Sequence, residues 1–150
     1  MNKRILIFSP ELKDREQIEE VVGEYFTKEF RAYFKGIQIQ AYPEFKSPQP
    51  MLGHLELGEV FVVFDQRICS KEMHYQGIEK TPYFKSLKLS FELSQQLCNE
   101  KNIPYVLYKG EIAKKEDNLF IAKIDSVKDK IKNRLEEKIL EEEKSTLPSL

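Results

Sequence analysis

The stretch "LELGEVFVVFD", Leu55–Asp65, constrains this chain more than any other. Its second half is apolar at consecutive positions, so both faces of an extended segment must be covered there. It therefore reads as a central strand with elements packed above and below it. The chain has 150 residues, enough to bury such a core, and a single domain spanning 1–150 is the expectation.

The remaining segments supply what that strand needs. "RILIF" (Arg4–Phe8) reads as a second short apolar strand, followed by Ser9 as a helix cap and Pro10 as a first-turn residue. Ile18, Val21, Val22, Tyr25, Phe26, Phe30 and Tyr33 recur at helical spacing and predict a helix over 11–31. "IQIQAY" alternates apolar and polar, the pattern of a half-buried strand ending at Tyr42. Pro43–Gly53 holds three prolines and reads as a loop, and 66–80 reads as a long, partly exposed one. Thr81 and Pro82 start a helix that Phe84, Leu87, Phe91, Leu93, Leu97 and Cys98 carry to about Glu100. "IPYVLY" is a further buried strand, "KGEIAKKEDN" a turn, and "LFIAKI" a final strand. A last helix, capped by Asp125 or Ser126, shows Val127, Ile131, Leu135 and Ile139 in a narrow stripe suited to docking. The fold class expected is mixed α/β (α+β): one mixed sheet flanked by helices. Residues 1–34 form its first strand and helix, 35–124 its core, and 125–150 a C-terminal helix with a frayed tail.

Charge narrows the function. A net charge of −1 and a pI near 6.2 lack the strongly basic surface of a stand-alone nucleic-acid binder. Cys69 and Cys98 sit in no metal-ligand spacing and read as reduced thiols of a cytoplasmic protein. The opening apolar run is too short for a signal peptide, and no stretch is long enough to span a membrane. The first strand-to-helix turn, "FSPELK", has no glycine, which weakens any nucleotide-cradling reading. Asp65-Gln66-Arg67 imitates half of a metal-nuclease motif, but arginine cannot replace its lysine, and Asp65 reads first as a turn residue. His74 lacks companions at zinc spacing and reads as a surface histidine. No metal and no cofactor are expected.

Tyr42 and His54 are different, because they end and begin consecutive strands joined by one loop. If those strands are antiparallel neighbours, both side chains lie at one end of the sheet and can share a substrate, one taking a proton and one giving it. Lys101, at the junction of the long helix and "IPYVLY", is a candidate cation for charge developing on a phosphate. Each also has a plain reading: Tyr42 ends a strand, His54 starts one, and Lys101 complements a helix C-terminus.

The segments "IQIQAY", "GHLELGEVFVVFD" and "NEKNIPYVLYKGEIAKKEDNLFIAKIDSVK" resemble the catalytic domain of the archaeal tRNA-splicing endonuclease (tRNA-intron endonuclease) family over about residues 20–128. The resemblance implies a restriction-endonuclease-like core and metal-independent cleavage of bulge–helix–bulge pre-tRNA. It assigns Tyr42 as general base, His54 as general acid and Lys101 as transition-state stabiliser. A ribose 2′-OH attacks the adjacent phosphate, leaving a 2′,3′-cyclic phosphate and a 5′-OH end. It also implies homo- or hetero-oligomers, assembled through the last helix and the acidic turn at 114–118. This sequence departs from the pattern in its long 66–80 segment and in "CNEK", where an arginine commonly precedes the lysine. Two other roles stay open: an architectural subunit of such an enzyme, or a small-molecule-binding α/β domain without RNA.

Overall fold

The apolar run at Glu59–Asp65 does become an interior strand, β3, buried at every position. The computed structural model describes residues 3–33, 35–43, 51–56, 58–70 and 81–146. Beside β3 lies β1 (Lys3–Phe8), also buried throughout. The outer strands are β2 (Ile37–Tyr42) and β4 (Tyr105–Tyr108), giving the order β2-β1-β3-β4. Every pairing is parallel. Parallel neighbours cannot be joined by a tight hairpin, so a helix must carry the chain back across the sheet. Helix α1 (Leu12–Glu29) does this between β1 and β2, and α3 (Pro82–Glu100) between β3 and β4.

The two crossovers step in opposite directions from the centre of the sheet. Right-handed connection therefore puts them on opposite faces. Ile5, Ile7, Phe61 and Val63 point into one core with Ile18, Val22 and Phe26 of α1. Helices α4 (Asp117–Ser126) and α5 (Lys128–Thr146) join that face through Phe120, Ile124, Ile131 and Leu135. Leu6, Phe8, Val62 and Phe64 point the other way, onto Leu87, Phe91 and Cys98 of α3. Each large side chain removed from water in these layers contributes roughly 1.5–3 kcal/mol. Short α2 (Met51–His54) precedes Leu55, which packs in this second core.

Helix ends follow local chemistry where it is free to act. The Thr81 hydroxyl accepts from the Phe84 amide at 3.2 Å, with Pro82 in the first turn of α3. Asn102, at φ 56°, takes the left-handed conformation just past the same helix, and the Ile103 amide returns to the Cys98 carbonyl at 2.8 Å. Helix α5 crosses the amino ends of the strands. Its Arg134 Nε donates to the carbonyl of Glu59, the first residue of β3, and its Glu142 faces Lys3, the first residue of β1.

The single-sheet α/β class is observed, with four departures. The sheet is parallel among the described residues, and β1 stands between β2 and β3, which are not neighbours. "LFIAKI" lies in α4, where Phe120 and Ile124 are fully buried one turn apart while Leu119 is 55% exposed. The stripe on the last helix faces its own core: Ile131 and Leu135 are fully buried, and Val127 packs against the same cluster. Ser9 does not cap α1, whose N-cap position, Glu11, makes no side-chain capping bond.

Candidate functional site

Tyr42 and His54 do come together. Their rings stack with centroids 4.1 Å apart at 19°, and both lie on Phe8, at 6.0 and 6.1 Å. The route differs from the one expected, because His54 ends α2 rather than starting a strand. The Tyr42 hydroxyl donates to Gln40 Oε1 at 3.1 Å, and Arg4 Nη1 donates to the same oxygen at 2.7 Å. Arg4 Nη2 donates to the His54 carbonyl and to Glu59 Oε1, each at 2.8 Å. Burial first, and the Arg4 charge second, hold the imidazole below its ordinary value of 6.5. A neutral imidazole stacked face to face on a phenol, with the phenol hydroxyl already directed to Gln40, suits packing better than proton donation.

Lys101 is elsewhere. It follows α3 and precedes β4, at the amino end of one outer strand, while Tyr42 closes the carboxyl end of the other. Three strand spacings alone separate those positions by roughly 14 Å. The expected trio is therefore a pair, and among the described residues the cation beside it is Arg4.

A second polar cluster occupies the carboxyl ends of β1 and β3. The chain reverses direction across the sheet between these strands, and open parallel sheets hold their ligands in the crevice above such a point. Here Asp65, fully buried, accepts from the Ser9 hydroxyl at 2.8 Å. It also accepts from Arg67 Nε at 3.0 Å, Nη2 at 2.8 Å and the Arg67 amide at 2.9 Å. The forked pairing matches guanidinium to carboxylate at both oxygens. Arg67 Nη2 further reaches Asp14 Oδ2 at 3.0 Å, and the guanidinium lies 5.2 Å from the Tyr108 ring centroid. These bonds, against the opposing effect of burial, push the guanidinium pKa up. Gly110 closes the side: a Cβ there would stand 3.2 Å from Arg67 Nη1, and its φ of +86° disfavours other residues anyway.

The expected turn role of Asp65 is thus only part of its use. Arg67 engages both Asp65 oxygens, and the described residues contain no group of three metal-ligating side chains. Asp14 and the bond of Ser9 to Asp65 escaped the sequence reading because both depend on β1 and β3 being parallel neighbours. The thiols of Cys69 and Cys98 are unpaired, and burial pushes them up to about 11 and about 12, so both stay protonated. His74 lies outside the described residues, and none of the described helices is long and apolar enough to cross a membrane. Compared with protein-family models, curated proteins and solved structures, the chain matches none.

Proposed function

We propose that this chain is a non-enzymatic α/β domain that binds a small polar molecule. The observation that carries the reading is the closure of the carboxyl-edge crevice by Asp65, Arg67, Asp14 and Ser9. The position where parallel α/β folds usually do chemistry is filled from within. Space remains instead at the amino edge, in a polar cleft of about 470 Å³ between α3, β4 and α5. Two unpaired cysteines support a reducing compartment, the cytoplasm. The test is calorimetric titration with small polar molecules beside heparin chromatography. Saturable small-molecule binding with no salt-dependent retention on heparin supports the reading, whereas salt-sensitive RNA binding alone sinks it.

The second reading, a subunit of a tRNA-intron-type endonuclease working with partner chains, is favoured by one observation: Tyr42 and His54 in contact at 4.1 Å. In that case Arg4, and not Lys101, is the cation beside them among the described residues. Cleavage of bulge–helix–bulge RNA in EDTA, leaving a cyclic phosphate and reduced about 100-fold or more by His54→Ala, would establish it. Cleavage by an assembled complex that His54→Ala leaves unchanged indicates the architectural version.

A further inference from the structure

We propose that the amino-edge cleft is a nucleotide site, taking one planar heterocycle that carries one phosphate. This rests on the binding-domain reading and names its ligand. The volume, about 470 Å³, falls in the lower half of the range of roughly 300–1,000 Å³ usual for small-molecule sites. It admits one ring system and one anionic group.

The walls supply matching chemistry. Lys130, Asn133 and Arg134 share one face of α5, at spacings of three and four residues, and line the cleft opposite Asn99 and Asn102 at the end of α3. Each carboxamide offers donors and an acceptor side by side, the pattern a heterocycle edge presents. Tyr105 supplies an aromatic surface in the lining. Its ring is held edge-to-face against Phe64, with centroids 5.6 Å apart, and its hydroxyl accepts from Asn99 Nδ2 at 3.3 Å. Base-on-aromatic stacking tolerates any base, so the amides rather than the ring would select among them.

Charge places the phosphate. Arg134 is anchored through Nε to the Glu59 carbonyl and has Glu137 at 3.5 Å. Lys130 makes no hydrogen bond or ion pair with a described residue and sits in the first turn of α5, where the helix dipole also favours an anion. Glu137 is the sole acid in the lining, against Lys130 and Arg134. A bare phosphate would leave the carboxamides and Tyr105 unused. The same chemistry could come from a free nucleotide or from one unit of a single-stranded RNA.

The experiment is calorimetric titration of the whole chain with AMP, GMP, CMP and UMP, alongside inorganic phosphate, adenosine and a short single-stranded oligoribonucleotide. At least one monophosphate is expected to bind more tightly than phosphate or the nucleoside. Lys130→Glu should weaken it about tenfold or more. Asn133→Ala should weaken it less, and Lys13→Glu, exposed at the other edge of the sheet, should change nothing. Oligoribonucleotide binding that Lys130→Glu abolishes, without affinity for free nucleotides, keeps the site and moves the domain to the RNA reading. Monophosphate binding indifferent to Lys130→Glu overturns the site. Binding of some other small polar molecule, with none of nucleotides, overturns the ligand class and leaves the binding-domain reading standing. No small-molecule or RNA binding at all removes both.

Discussion

At the carboxyl ends of the strands two buried acids, Asp14 and Asp65, enclose Arg67. At the amino ends four buried cations, Lys3, Arg4, Arg134 and Lys138, stand against one buried acid, Glu59, which pairs with Arg4. The first cluster is satisfied internally by short, forked bonds. The second draws its remaining counter-charges from more exposed acids: Glu141 at 3.2 Å, Glu137 at 3.5 Å, Glu142 at 3.6 Å and Glu56 at 3.9 Å. Exposed pairs of this kind contribute about 0–1 kcal/mol and yield to salt. A net charge of −1 therefore conceals opposite local excesses. The difference teaches where a ligand can compete. A buried cluster whose single guanidinium is already shared by two carboxylates offers an anion nothing, while cations paired with more exposed acids can exchange them for an incoming one.

The comparison breaks first at Arg67. Arg67→Met strands two buried carboxylates and should cost about 3–5 kcal/mol in urea denaturation. A loss below about 1 kcal/mol would mean that this end is not locked. Glu59→Gln keeps an acceptor for Arg4 and for the Glu56 amide but removes the charge. About 2 kcal/mol is expected from the same measurement. His54 reports its own burial first and the Arg4 charge second. With its folded pKa depressed below 6.5, the unfolded chain takes up the proton first as pH falls. Stability should thus decline as pH drops below about 6.5, and His54→Phe should remove that decline while keeping the ring stack. An unchanged slope in His54→Phe would mean that neither burial nor the Arg4 charge depresses the imidazole. Smallest of all, Glu142→Gln should shift stability by less than about 1 kcal/mol, and the shift should vanish in high salt. A large effect there would erase the contrast between the two ends.

Much of the fold was legible because periodicity reports burial. The spacing of Ile18, Val22 and Phe26 gives α1, Thr81-Pro82 gives the start of α3, and "IQIQAY" gives β2 residue for residue. "LFIAKI" misled because a six-residue apolar run fits a strand or a helix equally. Only tertiary packing, which buries Phe120 and Ile124 and exposes Leu119, decides. Strand pairing was misread for a different reason. Tyr42 and His54 are close in sequence, which suggested a hairpin, but His54 ends α2 and β1 lies between β2 and β3. The unbroken apolar character of "RILIF" and "VFVVF" was the available signal, since strands buried on both faces belong to parallel sheets. The site was legible only where a short connection enforced proximity, as at Tyr42 and His54. Ser9 with Asp65, 56 residues apart, depends on strand order, and so does the isolation of Lys101.

The Ser9 hydroxyl has a consequence for how this molecule opens. A serine before a helix ordinarily secures the first turn by itself, so the turn can fray and re-form independently. Here that hydroxyl bonds Asp65, the Ser9 carbonyl accepts from Arg15 Nη1 at 2.9 Å, and Asp14 in the same turn pairs with Arg67. The start of α1 is thus tied to the far end of β3 rather than to itself. The Arg15 amide, which donates to the Glu11 carbonyl at 3.0 Å, should exchange with the unfolding of the sheet as one cooperative unit, not at the faster rate of a helix end.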